Sequence, residues 1–250
     1  MVSLFVQNNG QVFSQIKTEG NGTELAGIMQ ILSLADLKGA TVTIDALGCQ
    51  KPVAQTITER GGDYILCVKE NQKSLHESVK KHLDEMILEK FKDVAHDADD
   101  TTNAGHGRIE RRRVWATDQI EWLKMAGDWP GLKSVVAVES TRDVAGAGKS
   151  TERRYYISSI GNPDAQMIAG AIRGHWGIEN GLHHILDVSF HEDDSRIRKN
   201  NAAENVSRLR RIALNLLKDK GAKLKKKSSI RTRRKIAGWD HDYLLSLITE

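Results

Sequence analysis

The 250-residue sequence has only two cysteines, Cys49 and Cys67, and they form no CxxC pair. They fall in different expected elements, so they give neither a disulfide framework nor a cysteine metal site and read as reduced, buried thiols. No run approaches the roughly 18 apolar residues of a membrane span, and the opening MVSLFVQNNG is too short and lacks the basic flank of a signal peptide. A cytoplasmic chain with no membrane partner is therefore expected. G-x-S-x-G, the P-loop and G-x-G-x-x-G are all missing, which leaves hydrolase-elbow and nucleotide-fold readings without support. His175, His183, His184 and His191 gather in one stretch, but there is no H-E-x-x-H and no nearby cysteine, so zinc is not expected there. No internal repeat is found.

What the chain does contain is enough for a core, at 39% hydrophobic residues, and a net charge of +4 that hides a gradient. Residues 191–250 carry 16 Lys and Arg against 8 Asp and Glu, while residues 1–190 carry 21 against 25. A basic C-terminal end fits a polyanion such as nucleic acid, and equally a solvated charged face.

In chain order, Val2–Val6 and Val12–Lys17 flank Asn8-Asn9-Gly10, a hairpin signal. A helix follows with Leu25, Ile28, Met29, Leu32 and Leu37, closed by Gly39. The run ATVTID (40–45) reads as a strand buried on both faces and ending in Asp45. A helix over Gln50–Arg60 and a buried strand, YILCVK (64–69), complete a βαβ unit, whose strand ends collect at one edge where sites are built. Residues 72–92 read as a charged helix and the acidic stretch 93–100 as a solvated loop. Between Gly105 and Ser159 short alternating runs read as a small antiparallel β insertion. Its Arg108, Arg111, Arg112, Arg113, Arg153 and Arg154 either meet a nucleic-acid backbone or blunt exposed strands.

Asn162-Pro163 opens a helix through Phe190. At 100° per residue, Ile168, Ile172, Leu182, Leu186 and Phe190 fall within about 60° of Glu179, which sets a carboxylate in the middle of an apolar stripe. Such a group requires a partner. Gly174, Gly177 and Gly181 form a seam on the opposite face, where another backbone is expected to approach, and Trp176 reads as core. Ala203–Lys218 is a second amphipathic helix, with Leu209 and Ile212 inward and Arg208, Arg210 and Arg211 largely outward. The tail 220–235 reads as a basic linker, followed by an apolar segment, Trp239–Ile248. The organisation expected is 1–92, a loop and insertion over 93–161, the helical part 162–219, and the linker and packing segment 220–250. Asp45 and Glu179, two carboxylates from distant parts of an α/β chain, suit a hard divalent cation and phosphoryl transfer; for Asp45 the alternative is a turn or helix cap.

The runs VTIDALGCQKPVA, DYILCVKENQ, GHGRIERRRVW, STERRYYISS and RGHWGIENGLHHILDVSFHEDDSRIRKNNAAENVSRLRRIALNLLK resemble those of bacterial insertion-sequence transposases of the ISAs group, which includes the H-repeat-associated proteins. The resemblance implies an RNase H-like mixed sheet with flanking helices, interrupted by the β insertion. It also implies a triad of two aspartates and one glutamate that binds two Mg²⁺ (or Mn²⁺) for strand cleavage and strand transfer. Asp45 stands where that family has its second aspartate, and Glu179, in HWGIEN, where it has the glutamate. Arg173, His175, Arg196, Arg198, Lys199, Arg111 and Arg113 are the DNA-contacting candidates, with transposon ends and target as partners, a homodimer on DNA, and a cytoplasmic, nucleoid-associated location. The first aspartate belongs to an Asp-Gly-Lys block that these 250 residues lack. The expectation is a chain without its first core strand and impaired in transposition, or else a non-catalytic fragment that binds DNA or transposase.

Overall fold

The Asn-Gly turn folds as its chemistry dictates. In the computed structural model, which describes residues 2–18, 23–105, 107–144, 146, 148–219 and 228–249, β1 (Val2–Val6) pairs antiparallel with β2 (Gln11–Ile16). Gly10 sits between them at φ +67°, a conformation that favours glycine. Helix α1 (Glu24–Leu34) follows. The chain divides into two compact units, Met1–Ile31 with Gly174–Glu250, and Leu32–Arg173.

The second unit is built on a six-stranded mixed sheet in the order β3-β4-β8-β7-β6-β5. The strands are β3 (Thr41–Ile44), β4 (Asp63–Val68), β5 (Asp97–Gly105), β6 (Arg108–Thr117), β7 (Ser134–Val144) and β8 (Gly148–Ser158). The β-branched run 41–44 pairs parallel with β4, with Thr43 opposite Ile65; every other pairing is antiparallel. The expected insertion is thus continuous with this sheet, because Tyr156 of β8 pairs with Cys67 of β4. β3 stands at the end of the strand order and is half-buried or exposed, not buried on both faces, since coverage needs neighbours that an end strand lacks. The acidic stretch read as a loop becomes, from Asp97, the opposite end strand, β5. Arg111 of β6 holds Asp100 with Nε to Oδ1 at 2.9 Å, and a charged end strand resists edge pairing.

Helices cover both faces of this sheet. α2 (Lys51–Glu59) and α3 (Lys73–Leu88) bury Val53, Ala54, Ile57, Leu75, Val79 and Leu83. On the other face α4 (Ala165–His175) packs Ala165, Ile168 and Ile172 against Ile65, Val114, Ala116, Val136, Val138 and Tyr156. Two free, buried cysteines lie here; burial, and then the neighbouring Cys67, pushes the Cys49 thiol up to about 12.

The first unit joins the hairpin to α5 (His184–Phe190), α6 (Ala202–Asp219), α7 (Ile230–Trp239) and α8 (His241–Thr249). Val12, Leu182, Leu186 and Leu214 form its core. Asn215 of α6 accepts from Val12 N at 3.0 Å and donates to Val12 O at 2.7 Å, extending the β2 ladder with a side-chain amide. The inward face of α6 is Ser207, Arg211, Leu214 and Leu217, while Leu209 and Ile212 are 63% and 55% exposed. This reverses the sequence expectation for Arg211. Its guanidinium is drawn inward by Glu192 at 2.9 Å and the Ser207 hydroxyl at 2.6 Å, and a polar anchor of that kind overrides an apolar count. The second half of the expected linker is helical from Ile230; residues 220–227 lie outside the described residues.

Candidate active site

Asp45 ends β3 and precedes a 3₁₀ turn, Ala46–Gly48. It occupies the cap position, yet its side chain makes no capping hydrogen bond and is exposed. The alternative reading of Asp45 as a structural cap therefore has no bond behind it. The turn is held by other groups. Gly48 N donates to Asp45 O at 3.1 Å, Asn71 Nδ2 to Ala46 O at 2.6 Å, and Gln72 Nε2 to Cys49 O at 3.0 Å. Asn71 and Gln72 belong to ENQ, one residue after β4, so the parallel strand pair positions Asp45 from both sides. A Cβ at Gly48 would stand 2.2 Å from Ile44 Cγ2, which explains the glycine. The Asp45 charge also reaches Cys67 and helps raise its thiol pKa, after burial as the main cause and against Lys69 and Arg154. Thr43 pairs with Ile65, which packs under α4, and strand alternation sets Asp45 on that same face.

Glu179 is placed differently from its expected position. The helix is interrupted after His175, and Glu179–His183 form a π turn that leads into α5. A π turn inserts an extra residue, which rotates the later part of the helix by about 100° against the earlier part. Ile168 and Ile172 accordingly join one core, Leu182 and Leu186 another, and Glu179 is exposed. The continuous apolar stripe assumed an unbroken 3.6-residue period. π turns occur often at functional sites, and this one starts at the carboxylate. Lys218 of α6 supports it: Nζ donates to Gly181 O at 2.7 Å, also to Gly10 O, and lies 5.1 Å from the Phe5 ring centroid. Burial pushes this ammonium below its ordinary pKa. Nothing in the sequence marks Lys218, because it sits in a basic helix 37 residues away.

The glycine seam is partly real. A Cβ at Gly174 would meet the Gln7 amide at 2.0 Å and one at Gly181 the Phe5 ring at 3.3 Å, whereas Gly177 has nothing within 4 Å; side chains approach here, not a backbone. Trp176 is 48% exposed instead of core. No group of three or more His, Cys, Asp or Glu that could hold a metal occurs among the described residues.

Of the DNA-contacting candidates, Arg173, Arg196, Arg198 and Lys199 are exposed and His175 is half-buried. Arg198 Nη1 folds onto its own loop, donating to Ser195 O at 2.7 Å. Arg111 is bound to Asp100 and Arg113 to Glu139. Burial disfavours the charge on Glu139, but hydrogen bonds from Arg153 and Arg113 outweigh it and hold the carboxyl below its ordinary value. A recess of about 60 Å³ beside them is lined by Glu110, Arg112, Ser140 and Arg142, among others.

A mixed sheet flanked by helices, with a carboxylate after a parallel strand and another on a later helical segment, defines an α/β protein consistent with an RNase H-like transposase fold. The family model described as "Transposase DDE domain" matches residues 1–216, and the chain belongs to that family. It is 42% identical over 224 residues to the protein named "Putative transposase YncI" of Escherichia coli O157:H7, covering 88% of this chain and 56% of that one. To the "H repeat-associated putative transposase YhhI" of Escherichia coli K12 it is 36% identical over 253 residues, covering 99% of this chain and 65% of that one. The resemblance to H-repeat-associated transposases is borne out. The chain spans about 56% to 65% of the length of these relatives. Among the described residues no helix is long and apolar enough to cross a membrane.

Proposed function

We propose that Asp45 and Glu179 are two of the carboxylates with which an insertion-sequence transposase performs metal-dependent DNA strand cleavage and strand transfer. One observation carries this reading. Among the described residues no hydrogen bond or ion pair engages either carboxylate, while Asp84, Asp100, Glu139 and Glu192 are each bound to a cationic side chain. Exposed, uncommitted carboxylate oxygens suit a hard divalent cation such as Mg²⁺ or Mn²⁺, and Asp45 and Glu179 are each read as ligands for such ions. When bound, such ions sharpen an attacking oxygen and stabilise the leaving one. The part of the chain's own residues is positional: Asn71, Gln72 and Gly48 fix the turn bearing Asp45, and Lys218 fixes the π turn bearing Glu179. Transposon ends and target DNA are the partners, met by a homodimer in the nucleoid.

A second reading has its own observation. These 250 residues contain no Asp-Gly-Lys block, so a protein of these residues alone would bring two of the three carboxylates that the resemblance implies. Weak or absent end-joining by the isolated chain is then expected, with DNA or transposase binding retained. Mn²⁺ titration followed by electron paramagnetic resonance, run beside nicking assays on supercoiled DNA, separates the readings. Asp45→Asn and Glu179→Gln should each weaken Mn²⁺ binding about tenfold, roughly 1.4 kcal/mol, and leave DNA affinity intact. Mn²⁺ binding indifferent to both substitutions would sink the catalytic reading, and a wild-type chain that binds DNA without nicking it would favour the second.

A further inference from the structure

Of the seven arginines on β6, β7 and β8, six are matched to carboxylates. Arg108 and Arg142 bind Glu110, Arg111 binds Asp100, Arg113 binds Glu139, Arg153 binds Asp84 and Glu139, and Arg154 binds Glu152. Arg112 has no carboxylate within ion-pair distance among the described residues, although it is half-buried. Strand alternation sets Arg112 on the same face as Val114 and Ala116, which pack against α4. Ser140 is directly opposite it on β7.

The direction of α4 brings a second guanidinium to the same place. Ala165 N donates to Asp97 Oδ2 at 2.8 Å, and Asp97 is opposite Ala116, so the helix starts over the Ala116 end of β6. From Ala165 to Arg173 the helix rises about 12 Å. From Ala116 back to Arg112 the strand covers about 13 Å. Arg173, exposed in the last turn of α4, therefore arrives beside Arg112. The electrostatics agree: burial, and then the charge of Arg173, holds the Arg112 guanidinium below its ordinary pKa. Like charges brought together at a half-buried position are costly unless an anion bridges them, and paired guanidinium forks match phosphate oxygens.

We propose that Arg112 and Arg173 together grip one backbone phosphate of a nucleic acid that passes the His175 end of α4, where the helix stops covering the sheet. This inference rests on the nucleic-acid reading above and adds a register to it. Asp45 is level with Ala116, four strand spacings or about 19 Å away at about 4.8 Å per strand, and Arg112 lies about 13 Å further along β6, which puts it about 23 Å from Asp45. The phosphate held at Arg112 is therefore several nucleotides away from one beside Asp45, and the pair sets where the strand passes the end of α4.

The test uses the full chain in EDTA, with fluorescence anisotropy of a labelled mixed-sequence DNA duplex measured across a salt series. Arg112→Gln, Arg173→Gln and the double variant are compared with Arg142→Gln, which removes the same charge from the same sheet. Losing one phosphate contact reduces the slope of log K against log salt by about 0.9. The double variant should show that reduction and about tenfold weaker binding near 150 mM salt. Each single variant should lose nearly as much, because both arginines hold one group. Arg142→Gln should keep the wild-type slope. A double variant with the wild-type slope and affinity overturns the proposal and leaves the nucleic-acid reading standing. A wild-type chain without salt-dependent affinity overturns both. Should Arg112→Gln fail to fold, the exposed Arg173→Gln decides alone, and inorganic phosphate should raise the melting temperature of the wild-type chain but not of this variant.

Discussion

Glu139 shows how much of the charge on the β6–β8 strands is structural. It is 6% exposed and receives both Arg113 and Arg153, so Glu139→Gln leaves two guanidiniums without their counter-charge. A loss of about 2–4 kcal/mol is expected near pH 7, read as the shift in urea midpoint at constant m. The folded carboxyl titrates below its ordinary value of 4.5. Its stabilisation is therefore present above about pH 4.5 and is lost as pH falls through the lower folded value. The difference between wild type and Glu139→Gln should shrink across that acid range. Lys218 makes a separate case. Lys218→Met keeps the stem but removes the donors to Gly181 O and Gly10 O, leaving half-buried carbonyls unsatisfied at about 1–3 kcal/mol. Amide exchange over residues 179–184 should accelerate in that variant; unchanged protection there would show that the π turn stands without the lysine.

At the scale of elements, the two candidate carboxylates sit on turns that other residues hold. Gly48→Ala drives a methyl into Ile44 Cγ2, and overpacking of this kind costs about 1–3 kcal/mol. The turn bearing Asp45 should shift with it, so Gly48→Ala should weaken Mn²⁺ binding while the circular dichroism spectrum stays that of a folded chain; full Mn²⁺ affinity would mean that the turn is not what positions Asp45. Strand and helix identities were largely legible, because β-branched alternation and the Asn-Gly turn act over a few residues. Phase was less so. The Glu179 helix reads as one stripe only if its period never changes, and the π turn that changes it carries no local sequence mark. α6 misleads in the same way: Arg211 counts as polar, yet Glu192 and Ser207 make its inward position favourable.

For the whole molecule, the two cores respond to separate substitutions. Ile168→Ala and Leu214→Ala each remove a fully buried side chain, at about 2–5 kcal/mol. Ile168 belongs to the sheet core and Leu214 to the hairpin core. Native-state hydrogen exchange should therefore report the first in β6–β8 amides and the second in β1, β2 and α6. Equal loss of protection throughout by either variant would show a single cooperative core instead. The sequence by itself determined the family, the α/β class, the hairpin, the βαβ unit and the two carboxylates, since these are carried by local pattern and by ordered motifs. Only the tertiary structure decided that the strands from Asp97 to Ser158 extend one sheet, that Arg111 and Arg113 are bound to acids while Arg112 is not, and that Glu179 stands exposed at a π turn. Those outcomes depend on which strand, helix or charge arrives opposite each residue, and partners tens of residues apart leave no trace in the spacing of the chain.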